Sequence, residues 1–192
     1  MNLELSDERD LLVASQTDLE PANERLAHEA THDPLTGLAN RALLADRLGA
    51  AVSGLVPGRG DRVALRRPRP LQGGQRPAGH ACGDEVLRIV AQRMSAAVRF
   101  GDTVQRVGGD EFVVVLPNIA SVEGVERLAD RLLADLARPY LLADGPTSIG
   151  ATIGIAWTDR HEDAERLLAQ ADATMYSGKQ TGRCRIVLAA SA

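Results

Sequence analysis

The stretch Arg106-Val107-Gly108-Gly109-Asp110-Glu111-Phe112-Val113-Val114-Val115-Leu116-Pro117 decides how the rest of the chain is read. A β-branched apolar run follows a Gly-Gly corner, so Thr103–Val107 and Glu111–Leu116 are expected as two strands joined by a tight turn. Two adjacent carboxylates, Asp110 and Glu111, occupy that corner. Glycine lets the backbone turn sharply and lets a bulky ligand come close. Paired carboxylates at an exposed turn suit a divalent cation that carries a phosphate. An ordinary hairpin with a polar tip has the same pattern, and the corner alone does not separate the two.

Composition bounds the rest. The 192 residues suffice for one domain plus an appendage, and 44% hydrophobic content supports a core. Aromatics make up only 3%, so packing must be aliphatic. A net charge of −4 gives no electrostatic case for a nucleic-acid surface. No apolar run approaches a membrane span, and the first residues are acidic and polar, unlike a signal peptide; a cytoplasmic location is expected. Cys82 and Cys184 are far apart and form no metal pattern, so reduced thiols are expected.

Along the chain, residues 1–30 read as a polar connector helix with Leu5, Leu12, Leu19 and Leu26 at heptad spacing. A short coiled-coil seam and a solvated helix interrupted at Pro21 are both consistent with it. Residues 31–190 read as one domain. Asn40 is a good N-cap for a helix carrying Leu43, Leu44 and Leu48, and residues 49–62 read as a Gly-rich connector. Val63–Leu65 begins a strand that stops at Arg66-Arg67-Pro68-Arg69-Pro70. Helices are expected over Asp84–Arg99, Ser121–Leu136 and Asp163–Gly178. Tyr140–Leu142 and Thr147–Trp157 read as a hairpin across Asp144-Gly145-Pro146, and Cys184–Leu188 as a last strand. Strands alternating with helices, with hairpins interspersed, imply an α/β (α+β) fold with a mixed sheet and helices on its faces.

Three other places carry candidate chemistry. Asp84 follows Gly79-His80-Ala81-Cys82-Gly83 and reads equally as a ligand group or a plain N-cap. Lys179, the only lysine, and Arg183 stand around a helix end. They form a phosphate clamp or merely a basic C-terminus favoured by the helix dipole. Arg99-Phe100-Gly101-Asp102 precedes the corner by a few residues.

Taken together, these stretches resemble the GGDEF family of diguanylate cyclases from bacterial signalling. The resemblance is carried by His32-Asp33-Pro34-Leu35-Thr36-Gly37-Leu38-Ala39-Asn40-Arg41, Gly108–Phe112, Ile153-Gly154-Ile155-Ala156 and Ala171-Asp172-Ala173-Thr174-Met175-Tyr176. It runs from about residue 25 to 188. It implies a five-stranded, largely antiparallel core sheet flanked by helices, like nucleotidyl-cyclase and polymerase-palm domains. It implies a nucleotidyltransferase that condenses two GTP into cyclic di-GMP with Mg²⁺ or Mn²⁺, working as a transient homodimer. By resemblance, Asp110 is a metal ligand and Glu111 the neighbouring catalytic carboxylate. Asp84 reads the guanine edge, Lys179 and Arg183 hold the terminal phosphates, and Arg99 with Asp102 form an allosteric site for cyclic di-GMP.

One segment departs from the family. Where its members carry a strand ending near Asp-x-Asp, then Phe-Lys and Asn-Asp, residues 66–78 read Arg66-Arg67-Pro68-Arg69-Pro70-Leu71-Gln72-Gly73-Gly74-Gln75-Arg76-Pro77-Ala78. Codons for Val-Asp-Leu-Asp-Arg-Phe-Lys-Ala-Val-Asn-Asp-Arg-Leu, read one base early, yield this stretch residue by residue; each Asp codon becomes arginine, giving Arg67, Arg69 and Arg76. Residues 66–78 therefore read as a compensated frameshift. In that register Arg67 stands in the place of the first metal aspartate, Gln72 of a phosphate-side lysine and Gln75 of a guanine-binding asparagine. A guanidinium has no lone pair to offer and repels a cation. Weak or absent turnover is the expectation, the alternative being a catalytically degenerate module that binds cyclic di-GMP or GTP in a regulatory role.

Overall fold

The computed structural model describes residues 21–54, 63–66, 80–119, 121–143, 145–158, 163–181 and 186–188. The described chain opens in helix α1, residues 21–31, whose exposed side chains include Leu26. Residues 1–20 of the expected connector helix lie outside the described residues. Helix α2, Arg41–Ser53, starts where Asn40 Oδ1 accepts from the amides of Ala42 and Leu43 at 2.9 and 3.2 Å. It runs past Gly49, where a connector was expected, because Leu44, Leu48 and Val52 bury one stripe against the sheet. Packing overrides the weak helix propensity of one glycine.

Strand β1, Val63–Arg66, is followed by helix α3, His80–Ala97, and then by the hairpin of β2, Thr103–Gly108, and β3, Glu111–Leu116. Helix α4, Val122–Ala137, is capped by the Ser121 hydroxyl and leads to β4, Tyr140–Leu142, and β5, Gly145–Thr147. Strand β6, Ile153–Trp157, helix α5, Ala164–Thr181, and strand β7, Ile186–Leu188, complete the order. The main sheet has five strands in the order β2-β3-β1-β6-β7. Among the described strands only the β6–β7 pair is parallel, so the sheet is mixed and largely antiparallel, as the sequence implied.

Two further expectations are corrected. Tyr140–Leu142 pairs with Gly145–Thr147 in a small separate sheet, whereas Ile153–Trp157 joins the main one; Pro146 lies within a strand opposite Leu141 rather than in the turn. On a two-stranded ribbon every strand is an edge, where proline's missing N–H costs nothing. Helix α3 begins at His80, not Asp84, so Asp84 sits in its second turn and the N-cap reading falls away.

The sheet is covered on both faces, which is why β3 reads as a continuous apolar run and is buried from Phe112 to Leu116. On one face Phe112, Val114, Leu116, Ile153 and Ile155 pack with α3 and α4 residues such as Val86, Met94 and Leu132. On the other, Val113, Val115 and Ala156 pack with Leu44, Leu48, Leu167 and Ala171 of α2 and α5. Arg93 fastens the first layer: it donates to the carbonyls of Asp135, Arg138 and Pro139 at the end of α4 and covers the Tyr140 ring at 4.0 Å. Burial pushes the Tyr140 phenol up, against the opposing pull of the Arg93 charge. Among the described residues no helix is long and apolar enough to cross a membrane.

Candidate nucleotide site

The corner is a two-residue turn. Gly108 pairs with Glu111, Gly109 and Asp110 form the bend, and the register shifts between Arg106 and Gly108. Gly108 and Gly109 take φ of +152° and +54°, conformations that a side chain would strain. Asp110 is thereby presented at the tip and Glu111 at the first position of β3, both half-buried.

Arg106 holds this turn in place. Its Nε and Nη2 donate to the Gly109 carbonyl at 2.9 and 2.8 Å, while Nη1 lies 2.9 Å from both oxygens of Asp33. Asp33 also accepts from the Thr36 amide and hydroxyl at 2.9 and 2.7 Å. Partial burial pushes the Asp33 carboxyl up, but the bonds from Thr36 and Arg106 and the Arg106 charge outweigh it and hold the carboxyl below its ordinary value. The 33–38 loop is closed by Asp33 N to Leu38 O at 2.7 Å and Gly37 N to Asp33 O at 2.8 Å. It lies along the free edge of β2, where Ala39 bridges Gln105 and accepts from the Arg106 amide at 3.0 Å. Neither Asp33 nor Arg106 is assigned a role by the sequence alone. The only sequence signal is an arginine two residues before the glycine pair.

Strand β1 lies between β3 and β6 with Arg66 opposite Val113 and Gly154. Its end is thus two residues along β3 from Glu111. Arg67, Gln72 and Gln75 lie outside the described residues. Asp84 rides half-buried on α3, the helix whose Val86 packs in the Phe112 layer. Lys179 falls in the last turn of α5, while its side chain and Arg183 lie outside the described residues.

Arg99 and Asp102 do come together. Arg99 Nε meets Asp102 Oδ1 at 3.2 Å, the Arg99 amide donates to Oδ2 at 3.0 Å, and Nη2 reaches the carbonyls of Pro117 and Asn118 at 2.9 and 3.1 Å. The Asp102 side chain is only 4% exposed and is engaged by Arg99, whose side chain stays 61% exposed.

Among the described residues no three His, Cys, Asp or Glu side chains converge on a point that could hold a metal ion. Asp110 and Glu111 supply two adjacent carboxylates. The residue that follows β1 in sequence is an arginine, which cannot complete them.

A model of the diguanylate cyclase GGDEF domain matches residues 30–185. Diguanylate cyclase TpbB of Pseudomonas aeruginosa is 40% identical over 178 residues, covering 91% of this chain and 41% of that protein. The chain therefore spans about two fifths of the length of that relative. The structure of an N-terminally truncated TpbB of Pseudomonas aeruginosa comprising only the GGDEF domain superposes with a TM-score of 0.71 at 33% identity over 83% of this chain and 94% of that one. The coiled coil and GGDEF domain of DgcB from Caulobacter crescentus, solved in complex with c-di-GMP, gives 0.82 at 25% identity over 96% and 99%. With motif order, sheet topology and overall similarity in agreement, the chain belongs to the GGDEF-domain family of diguanylate cyclases.

Proposed function

We propose that this chain is a diguanylate-cyclase-type module, built for condensing two GTP into cyclic di-GMP, whose turnover is weak or absent because residues 66–78 have lost a metal carboxylate. In the reaction each 3′-hydroxyl attacks the α-phosphate of the other GTP, two new phosphodiester bonds form, and two pyrophosphates leave. Two copies of the domain must face each other, each presenting one nucleotide. The gain is mainly positioning. A Mg²⁺ or Mn²⁺ ion, where bound, would neutralise phosphate charge. Asp110 and Glu111 are the carboxylates assigned to that charge, Asp84 to the guanine edge, and Lys179 with Arg183 to the terminal phosphates. The heptad leucines of residues 1–30 suit a connector that brings two copies together, and residues 31–190 act as the GGDEF domain.

The observation that carries the loss of turnover is the register of β1. Arg66 stands opposite Val113, beside the corner, and the sequence continues with Arg67 where a carboxylate is required. Losing one ligand of such a site costs about 3 kcal/mol or more of transition-state stabilisation, a factor of about 10² in rate. The test compares this chain with a variant whose residues 66–78 are replaced by Val-Asp-Leu-Asp-Arg-Phe-Lys-Ala-Val-Asn-Asp-Arg-Leu. Cyclic di-GMP synthesis from GTP and Mg²⁺ is expected to be at least about 10²-fold faster in the variant than in the unaltered chain. Turnover by the unaltered chain at the rate of the variant overturns the proposal.

A second reading is favoured by the intact Arg99–Asp102 turn: the chain binds cyclic di-GMP there as a regulatory module. Calorimetry with cyclic di-GMP and with GTP separates the two, since a pure receptor binds the dinucleotide and turns nothing over.

A further inference from the structure

We infer that Phe100 is a stacking platform for a guanine base of cyclic di-GMP, making the Arg99–Asp102 turn a three-part site of ring, guanidinium and locking carboxylate. This rests on the reading of Arg99 and Asp102 as a cyclic di-GMP site and adds to it a residue and a mode of contact.

The turn is rigid before any ligand arrives. Asp102 N donates to Arg99 O at 3.1 Å, Gly101 takes φ of +93°, and the Arg99–Asp102 ion pair clamps the two ends. The Arg99 bonds to the Pro117 and Asn118 carbonyls tie the turn to the loop after β3. Phe100 stands at the second position and is held out of the fold at 105% exposure. It is one of only two phenylalanines in a chain poor in aromatics, and the other, Phe112, is 1% exposed in the core. No other large apolar side chain among the described residues is as exposed. Folding gains nothing from a ring in water, since the hydrophobic effect favours its removal.

Its neighbours say what the ring suits. The Arg99 guanidinium spends Nε and Nη2 on the protein, leaving Nη1 without a hydrogen bond among the described residues. A flat apolar ring beside a partly satisfied, exposed cation matches a purine that carries a phosphate: the base stacks on the ring while the guanidinium takes an anionic oxygen or the O6/N7 edge of guanine. The Asp102 carboxylate, bonded to the Arg99 Nε and amide, fixes the angle of the guanidinium. A protein anchor would be expected to sit in a wider apolar patch, whereas Phe100 is flanked by Arg99 and Gly101.

The experiment titrates cyclic di-GMP into the full chain and into Phe100→Ala, Phe100→Trp and Arg99→Ala variants by calorimetry, with sedimentation of each ligand-free protein. Phe100→Ala is expected to raise Kd about tenfold, the scale of one base stacked on one ring. Phe100→Trp is expected to retain binding and to show indole fluorescence quenched by the ligand. An unchanged Kd in Phe100→Ala with binding lost in Arg99→Ala overturns the stacking role alone. Binding unchanged in Arg99→Ala, or absent from the unaltered chain, overturns the site reading itself. A smaller sedimentation coefficient for Phe100→Ala with unchanged Kd makes the ring a contact between copies and also overturns the inference.

Discussion

Arg106 grips Asp33 across 73 residues of sequence, with Nη1 2.9 Å from each carboxylate oxygen. The same guanidinium holds the Gly109 carbonyl, so one side chain joins the loop after α1 to the turn that presents Asp110. Both partners are largely buried, at 12% and 16% exposed. A fork with fixed geometry can serve both acceptors at once, which a lysine cannot.

Removing either partner leaves the other charge poorly satisfied. Arg106→Ala and Asp33→Ala are each expected to cost about 2–3 kcal/mol of unfolding free energy, in the range for hydrogen bonds to charged groups. The double variant should cost less than the sum of the two. Urea unfolding of the four-member cycle measures this, and strict additivity would show that the pair is not coupled.

The same carboxylate sets an acid limb. Its folded pKa lies below its unfolded value near 3.8, so the stabilisation is fully present above that value and is lost as pH falls through the folded one. Between the two values the unfolded chain binds more protons, and stability rises with pH. Asp33→Asn should flatten the stability profile below about pH 4. Thermal unfolding from pH 2.5 to 6 checks it, and parallel profiles for the two proteins would refute it.

Gly154 is the point of closest approach between sheet and helix. A Cβ there would lie 2.8 Å from the Met175 Cβ and amide nitrogen and would overlap the Ala171 carbonyl. Those atoms belong to the backbone and buried root of α5, so they cannot swing away. Gly154→Ala should therefore destabilise by about 2 kcal/mol, as overpacked cores do. Denaturant midpoints at unchanged m-value would report it, and an unshifted midpoint would mean that α5 can slide on β6.

Gln105 is 0% exposed, and its side-chain amide finds no hydrogen-bond partner among the described residues. It lies opposite Val113, on the face that α2 and α5 cover. Gln105→Met keeps the length and removes the buried polar atoms, so a gain of about 1–2 kcal/mol is expected. A loss of stability on thermal unfolding would show that the amide is satisfied in solution.

The local elements were legible because each carries its own period or punctuation. The β3 run from Phe112 to Leu116 is apolar at every position, as burial on both faces requires, and Asn40 announces α2 by offering an acceptor to otherwise unpaired amides. The Tyr140 hairpin was misassigned because Pro146 reads as a turn unless one knows that it sits on a ribbon of two edges. Asp84 reads equally as a cap or a ligand group because no Ser, Thr, Asp or Asn stands just before His80, where α3 starts. Site residues could be named from motif order, but not assembled: Arg106 and Asp33 carry no mark of each other.

By itself the sequence determined the family, the Gly-Gly corner with its two carboxylates, and the arginine that follows β1. These are properties of residue identity at adjacent positions, where backbone sterics and donor chemistry act over a few bonds. Only the tertiary structure decided that β1 lies between β3 and β6, that α5 rests directly on Gly154, that Arg106 reaches Asp33, and that Phe100 stays in water while Phe112 is buried. Those relations join positions tens of residues apart. They arise when the sheet closes between two helical layers and each side chain is assigned a face, a decision that no local pattern contains.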